Sequence, residues 1–256
     1  MKINSLLAAQ SIVLVFSANA FAADRPNIPS YVAAAVADQA RPADQVRLDA
    51  DRKPAELIAF AGLKPGDRVG DFIFANAYFT RIFSRVVGPA GRVYAYTPTE
   101  EILNCGPEET AQGIALGHNP AYANVKVLLG PVEDFSAPES LDVVWTSDNF
   151  HDLYDPILGP ARIERVTASI YRSLKPGGVF VVIDHVADAG SGVRDTNTLH
   201  RIDPAVIKAA VERAGFVLEA ESDVLRNPDD AHTLRVFNPA IRWRTDQVVL
   251  RFRKPT

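Results

Sequence analysis

The chain has 256 residues with one cysteine, Cys105, one methionine, at position 1, and 27 basic against 31 acidic side chains, for a formal net charge of −4. One cysteine excludes an internal disulfide and a thiolate zinc cluster, so a metal would have to be held by His and carboxylates. The interspersed charges give no basic stripe able to neutralise phosphates, so nucleic acid is not expected as a partner and a small molecule is.

The N-terminus reads as an address. Lys2 precedes an apolar run from Leu6 to Phe16, and Ala18-Asn19-Ala20 and Ala20-Phe21-Ala22 both satisfy the A-x-A cleavage pattern. Residues 1–22 are therefore expected to be a secretory signal peptide cleaved near Ala22, leaving a periplasmic or secreted protein. The apolar run is well short of the roughly twenty residues that a membrane span needs, and no span is expected elsewhere. Residues 23–53 read as an N-terminal helical extension and 54–256 as one domain, a size at which a single core is natural.

Pro29 to Ala40 has helical spacing, and Pro54 suits the first position of a helix that runs to Ala61 and ends at Gly62. Arg68 to Phe74 is a buried strand, apolar apart from Asp71; Tyr78 to Val87 is helical, and Gly88-Pro89-Ala90-Gly91 breaks the pattern. Strands follow at Arg92 to Tyr96, Val125 to Leu129 and Leu141 to Thr146, with helical and irregular sequence over 99–118. An amphipathic helix from Ala161 to Leu174 is ended by Lys175-Pro176-Gly177-Gly178, before a fifth strand from Val179 to Ile183. Asp203, as N-cap with Pro204 behind it, starts a helix to Ala214, and 216–222 and 247–253 alternate as strands do. The polar connection from Asp184 to Asp203 is a candidate lid.

Strands alternating with helices predict an α/β fold: a mostly parallel sheet covered by helices on both faces, with its ligand beyond the carboxyl ends of the strands. Residues just after the strands are then the ones to read for chemistry. Asn149, His151 and Asp152 follow strand four, Asp184 and His185 follow strand five, and His200 lies beside the next helix. Such His/Asp groups move protons near neutral pH. They could also bind a divalent metal, but no H-x-H or H-x-x-x-H spacing supports this and no metal is expected. His118 and His232 read as surface residues, Cys105 as inert, Trp145 as packing, and Trp243 as lining a substrate entrance.

The stretches Gly66-Asp67-Arg68-Val69 with Asp71, Gly91-Arg92-Val93-Tyr94-Ala95, Asn149-Phe150-His151-Asp152, Leu174-Lys175-Pro176-Gly177-Gly178 and Ala214-Gly215-Phe216 resemble the class I S-adenosylmethionine-dependent methyltransferases, within them an exported group known from sequence. The resemblance covers about residues 44–255 and implies a single Rossmann-like domain with a seven-stranded sheet, S-adenosylmethionine as cofactor and methyl transfer to a small molecule, with His151 as general base. It carries cofactor contacts onto Asp71, Phe72, Asn76 and Tyr78 around the first turn, Tyr96 at the end of the second strand and Glu133 after the third. The sequence departs from the family at the first turn, Phe72 to Ala77, which has no glycine; Phe74 and Ala75 put carbon where the family has glycine or proline, and Asn76, tolerant of left-handed backbone, is expected to restore the turn. The departure, together with export, leaves two alternatives: a fold that has lost the cofactor and uses its His/Asp groups for lyase, isomerase or hydrolase chemistry, and a non-catalytic periplasmic binding protein.

Overall fold

The computed structural model describes residues 27–105, 108–158 and 162–256, so the expected signal peptide lies outside the described residues. Seven strands form one sheet: β1 (Arg68–Phe72), β2 (Arg92–Pro98), β3 (Val125–Gly130), β4 (Leu141–Ser147), β5 (Leu174–His185), β6 (Val217–Ser222) and β7 (Gln247–Arg253). Their order is β3-β2-β1-β4-β5-β7-β6. β1 to β5 run parallel, and β7 inserts antiparallel between β5 and β6. The order reverses between β1 and β4, which opens a crevice at the carboxyl ends of those two strands.

Packing on both faces explains the continuous apolar strands. One face carries Ile58, Ile82, Phe83, Trp145 and Val181; the other carries Phe72, Phe135, Ile170, Phe180 and Phe252. Trp145 is core, as expected, with ring centroids 4.8 Å from Phe79 and 5.2 Å from Phe83. Gly70 lets the second face close over β1, since a β-carbon there would come within 2.7 Å of Phe135 and 2.9 Å of Leu141. Helix Ser30–Val36 sends Val32 and Ala35 into the first face, so the segment before Lys53 is packed on the domain. Arg41 holds the segment's path with paired 2.7 Å bonds to Asp49.

Three sequence expectations are corrected. β1 ends at Phe72, and Ile73 to Ala77 form a turn. Lys175 to Gly178 do not lie outside the sheet: β5 begins at Leu174, and its register with β4 shifts between the Leu141↔Leu174 and Val143↔Val179 pairs, which absorbs the positive φ of Gly177. The Asp184–Asp203 connection is tied down, with Asp203 accepting from Gly190 N at 2.8 Å and Val186 bridging in parallel to Ile202. Asp203 also caps helix Pro204–Arg213 through Ala205 N at 2.9 Å, as expected.

Candidate active site

A cavity of about 650 Å³ lies over the carboxyl ends of β1, β4 and β5, within the usual range for small-molecule sites. Its floor is the turn after β1. Ile73, Ala75 and Ala77 have φ of 63°, 46° and 62°, left-handed values that carry a steric penalty of roughly 1–2 kcal/mol for each β-carbon. Asn76, expected to supply that geometry, does not. Tertiary bonds hold the strained path: Asn149 Nδ2 donates to Ile73 O at 2.9 Å, Gln45 Nε2 to Asn76 O at 3.0 Å, and Arg81 to Asn76 O at 2.6 Å. Left-handed residues alternating along a turn make its N–H groups converge into an anion-binding nest. Among the described residues no acceptor takes the amides of Phe74, Ala75 or Asn76, and all three residues line the cavity.

Asp71 ends the floor of the cavity. It is 4 % exposed and accepts from Thr80 Oγ1 at 2.5 Å; burial pushes its carboxyl up to about 7, against the smaller opposing effects of that bond and of Arg52. Tyr78 also lines the cavity and donates to Asp49 Oδ1 at 2.6 Å. Arg52 reaches in from the N-terminal segment, 3.1 Å from Asp148 Oδ2 and 4.5 Å above the Tyr78 ring.

The opposite wall is a histidine and aspartate cluster. The His151–Tyr154 turn follows β4 and puts His151 beside Asp184 of β5; the Asp184 carboxylate accepts from His151 N at 2.7 Å and stands 2.8 Å from Nδ1. The Val186–Ile202 bridge draws His200 over the same spot, with its Nδ1 3.1 Å from His151 Nε2. Asp152 Oδ1 is 3.2 Å from His151 Nε2 and 3.7 Å from His200 Nδ1. Burial works to lower the His151 pKa, but Asp184 and Asp152 outweigh it and hold the imidazole well above the ordinary histidine value. Burial opposes ionisation of Asp152 as well, yet hydrogen bonds from His151 and His200 bring it down to about 2. His185 borders the cavity with its pKa lowered by burial, its Nδ1 2.8 Å from Thr245 Oγ1.

The catalytic candidates named from sequence thus share one cavity wall, except Asp184, which supports it from behind. Three cofactor candidates do not reach the cavity. Phe72 and Tyr96 stack in the core at 5.8 Å with Tyr96 Oη donating to Pro131 O, and Glu133 is engaged by Arg162 and Arg165. Glu101, Arg52, Asp148 and Arg235 line the cavity and were not singled out from sequence. Only the acid next to Asn149 lay close to a residue read for chemistry; nothing local marks the other three. Trp243 lines the entrance as expected, beside Phe237 and Arg242. His232 is not a free surface residue: it stands 3.2 Å from Asp246 Oδ2.

A family model described as a methyltransferase domain matches residues 74–182. The chain is 27% identical over 178 residues to the ubiquinone/menaquinone biosynthesis C-methyltransferase UbiE of Vibrio campbellii, covering 68% of this chain and 63% of that protein. It therefore spans a little under two thirds of that relative's length. Among solved structures, a SAM dependent methyltransferase from Aquifex aeolicus aligns with TM-score 0.55 at 18% identity, covering 83% of this chain and 94% of that one. The [4+2]-cyclase SpnF aligns with TM-score 0.58 at 18% identity, covering 81% and 82%. In its matched domain sequence and in its fold, the chain is similar to the class I S-adenosylmethionine-dependent methyltransferases.

Proposed function

We propose that the protein is an exported enzyme that transfers a methyl group from S-adenosylmethionine to a small-molecule acceptor in the cavity over β1 and β4. The observation that carries this reading is the strained turn Ile73 to Ala77, held by Asn149, Gln45 and Arg81 although no glycine eases it. Strain of this kind persists where surrounding structure over-determines it, and it concentrates at ligand clamps. Export rests on the leader pattern from Lys2 to Ala22.

The residues present suit the methionine end of the cofactor. The amides of Phe74 to Asn76 would take its carboxylate and Asp71 its ammonium, while Glu101 is the carboxylate on the side where the nucleoside would lie. When bound, the cofactor supplies an electrophilic methyl group. The chain's own part lies at the other wall, where His151, Asp152 and His200 hold the acceptor's nucleophilic atom and deal with its proton. Asp184 orients His151 from behind, and the aromatic rims of Phe237 and Trp243 exclude water from an acceptor. Arg235 and Arg242 have no carboxylate partner among the described residues, which favours an acceptor that carries negative charge.

A second reading, proton transfer without cofactor on the same fold, is favoured by the diversion of Tyr96 and Glu133 into other bonds. Calorimetry with S-adenosylhomocysteine and the leaderless chain separates the two. Saturable micromolar binding is expected; no binding sinks methyl transfer and leaves the second reading.

A further inference from the structure

The geometry points to a divalent-cation site made by His151 Nε2, His200 Nδ1 and Asp152 Oδ1, opening onto the cavity. It deepens the proposed function, whose acceptor end it occupies. The three atoms form a triangle with edges of 3.1, 3.2 and 3.7 Å. Atoms so spaced lie on a circle of radius about 1.9 Å, so a point at the usual metal–nitrogen or metal–oxygen length of about 2.0–2.1 Å from each lies within about 1 Å of their plane. The three donor atoms are already spaced for one ion, and the group that has to turn aside is Arg235, whose guanidinium donates to His200 Nε2. All three residues line the cavity, so the remaining coordination positions face its interior. Three protein ligands with an open position distinguish a catalytic metal site from a structural one.

The surroundings of His151 match those of a metal ligand. Asp184 Oδ1 lies 2.8 Å from Nδ1, so this nitrogen keeps its proton while a cation would take the place of the proton on Nε2. Such carboxylate–histidine pairs fix the tautomer and raise ligand basicity. Asp184 is itself fully buried and anchored by His151 N and His185 N, both at 2.7 Å, so the pair is rigid. On His200, coordination through Nδ1 puts the proton on Nε2, which faces Arg235 at 2.9 Å. Arg235 is exposed and able to swing away, toward an anionic group in the cavity. Two imidazoles and one carboxylate suit zinc or iron(II) rather than magnesium or calcium, which prefer oxygen donors. An ion here would take an acceptor oxygen as a further ligand and favour its ionised form.

The proposed ligands do not follow H-x-H spacing: His151 and Asp152 are adjacent, and the third is brought up by the Val186–Ile202 bridge. The test is calorimetry of the chelator-stripped leaderless chain with Zn2+ alone. One ion per chain is expected, with affinity at least 100-fold lower in His200→Ala and in Asp152→Ala, and unchanged in His232→Ala. Absence of stoichiometric binding, or affinity in the two ligand variants equal to that of the parent, overturns the site. Co2+ added to the unsubstituted chain gives a check independent of folding: an electronic spectrum with nitrogen ligation supports the site, and an all-oxygen octahedral spectrum overturns it. Neither measurement uses cofactor or acceptor, so failure here leaves methyl transfer standing, and failure of cofactor binding leaves the metal site standing.

Discussion

A single carboxylate grips both the backbone and the ring of one histidine: Asp184 accepts from His151 N through one oxygen at 2.7 Å and faces Nδ1 with the other at 2.8 Å. The two residues come from the ends of adjacent parallel strands, and the clamp joins the turn after β4 to β5. Asp184→Asn keeps the shape but replaces one acceptor by a donor, leaving a buried N–H facing another. A loss of about 1–3 kcal/mol is expected in urea unfolding, with far-UV spectra unchanged. A variant as stable as the parent would mean that the clamp contributes nothing to the fold.

Asp71 makes stability fall as pH rises. Its folded pKa of about 7 lies above the ordinary carboxyl value of 3.8 that holds in the unfolded chain, so the native state binds the proton more tightly. The resulting stability is complete below the unfolded value and is lost as pH climbs through about 7, a span worth at most roughly 4 kcal/mol. Asp71→Asn, which keeps an oxygen to accept from Thr80, removes this dependence. The stability difference between variant and parent should therefore shift in favour of the variant between about pH 4 and 8, and a difference independent of pH would contradict the raised pKa.

Gly113 supports the turn from below. A β-carbon there would come within 2.2 Å of Phe74 Cε2 and 2.5 Å of Ala75 O. Backbone cannot move aside as a flexible side chain can, so Gly113→Ala should distort the nest. S-adenosylhomocysteine affinity is expected to fall at least tenfold in calorimetry, while Zn2+ affinity stays within twofold of the parent.

Arg201 holds the loop that carries Arg235, Phe237 and Trp243 over the cavity. Its fully buried guanidinium donates to Leu234 O at 3.1 Å, Val186 O at 3.0 Å and Asp230 at 3.0 Å. Arg201→Met removes one partner of a buried ion pair and leaves Asp230 uncompensated, a change worth about 3–5 kcal/mol. Thermal melting should show a fall of several degrees, and limited proteolysis should cut first within residues 226–246. An unchanged melt would mean that Asp230 is satisfied by the Asp246 and His232 amides alone.

Much of the fold was legible along the chain because burial on both faces of a parallel sheet imposes continuous apolar runs, and Asp203-Pro204 marks a helix start by local chemistry. The boundary errors at Phe74 and Lys175 to Gly178 arose where pairing with a neighbouring strand, not local propensity, decides where a strand begins or ends. The site was legible in part: residues read at the carboxyl edge converge, because a parallel sheet aligns the ends of its strands. The floor of the cavity was not. Ile73, Ala75 and Ala77 have side chains that disfavour left-handed backbone, and only bonds from Asn149, Gln45 and Arg81, distant in sequence, hold them there. Sequence by itself determined the superfamily resemblance, the mostly parallel seven-stranded sheet expected of it and the identities of His151, Asp152 and His200. Tertiary structure alone decided that one atom from each of these three side chains meets the others within 3.7 Å, since their approach depends on a bridge between Val186 and Ile202 that no local pattern encodes.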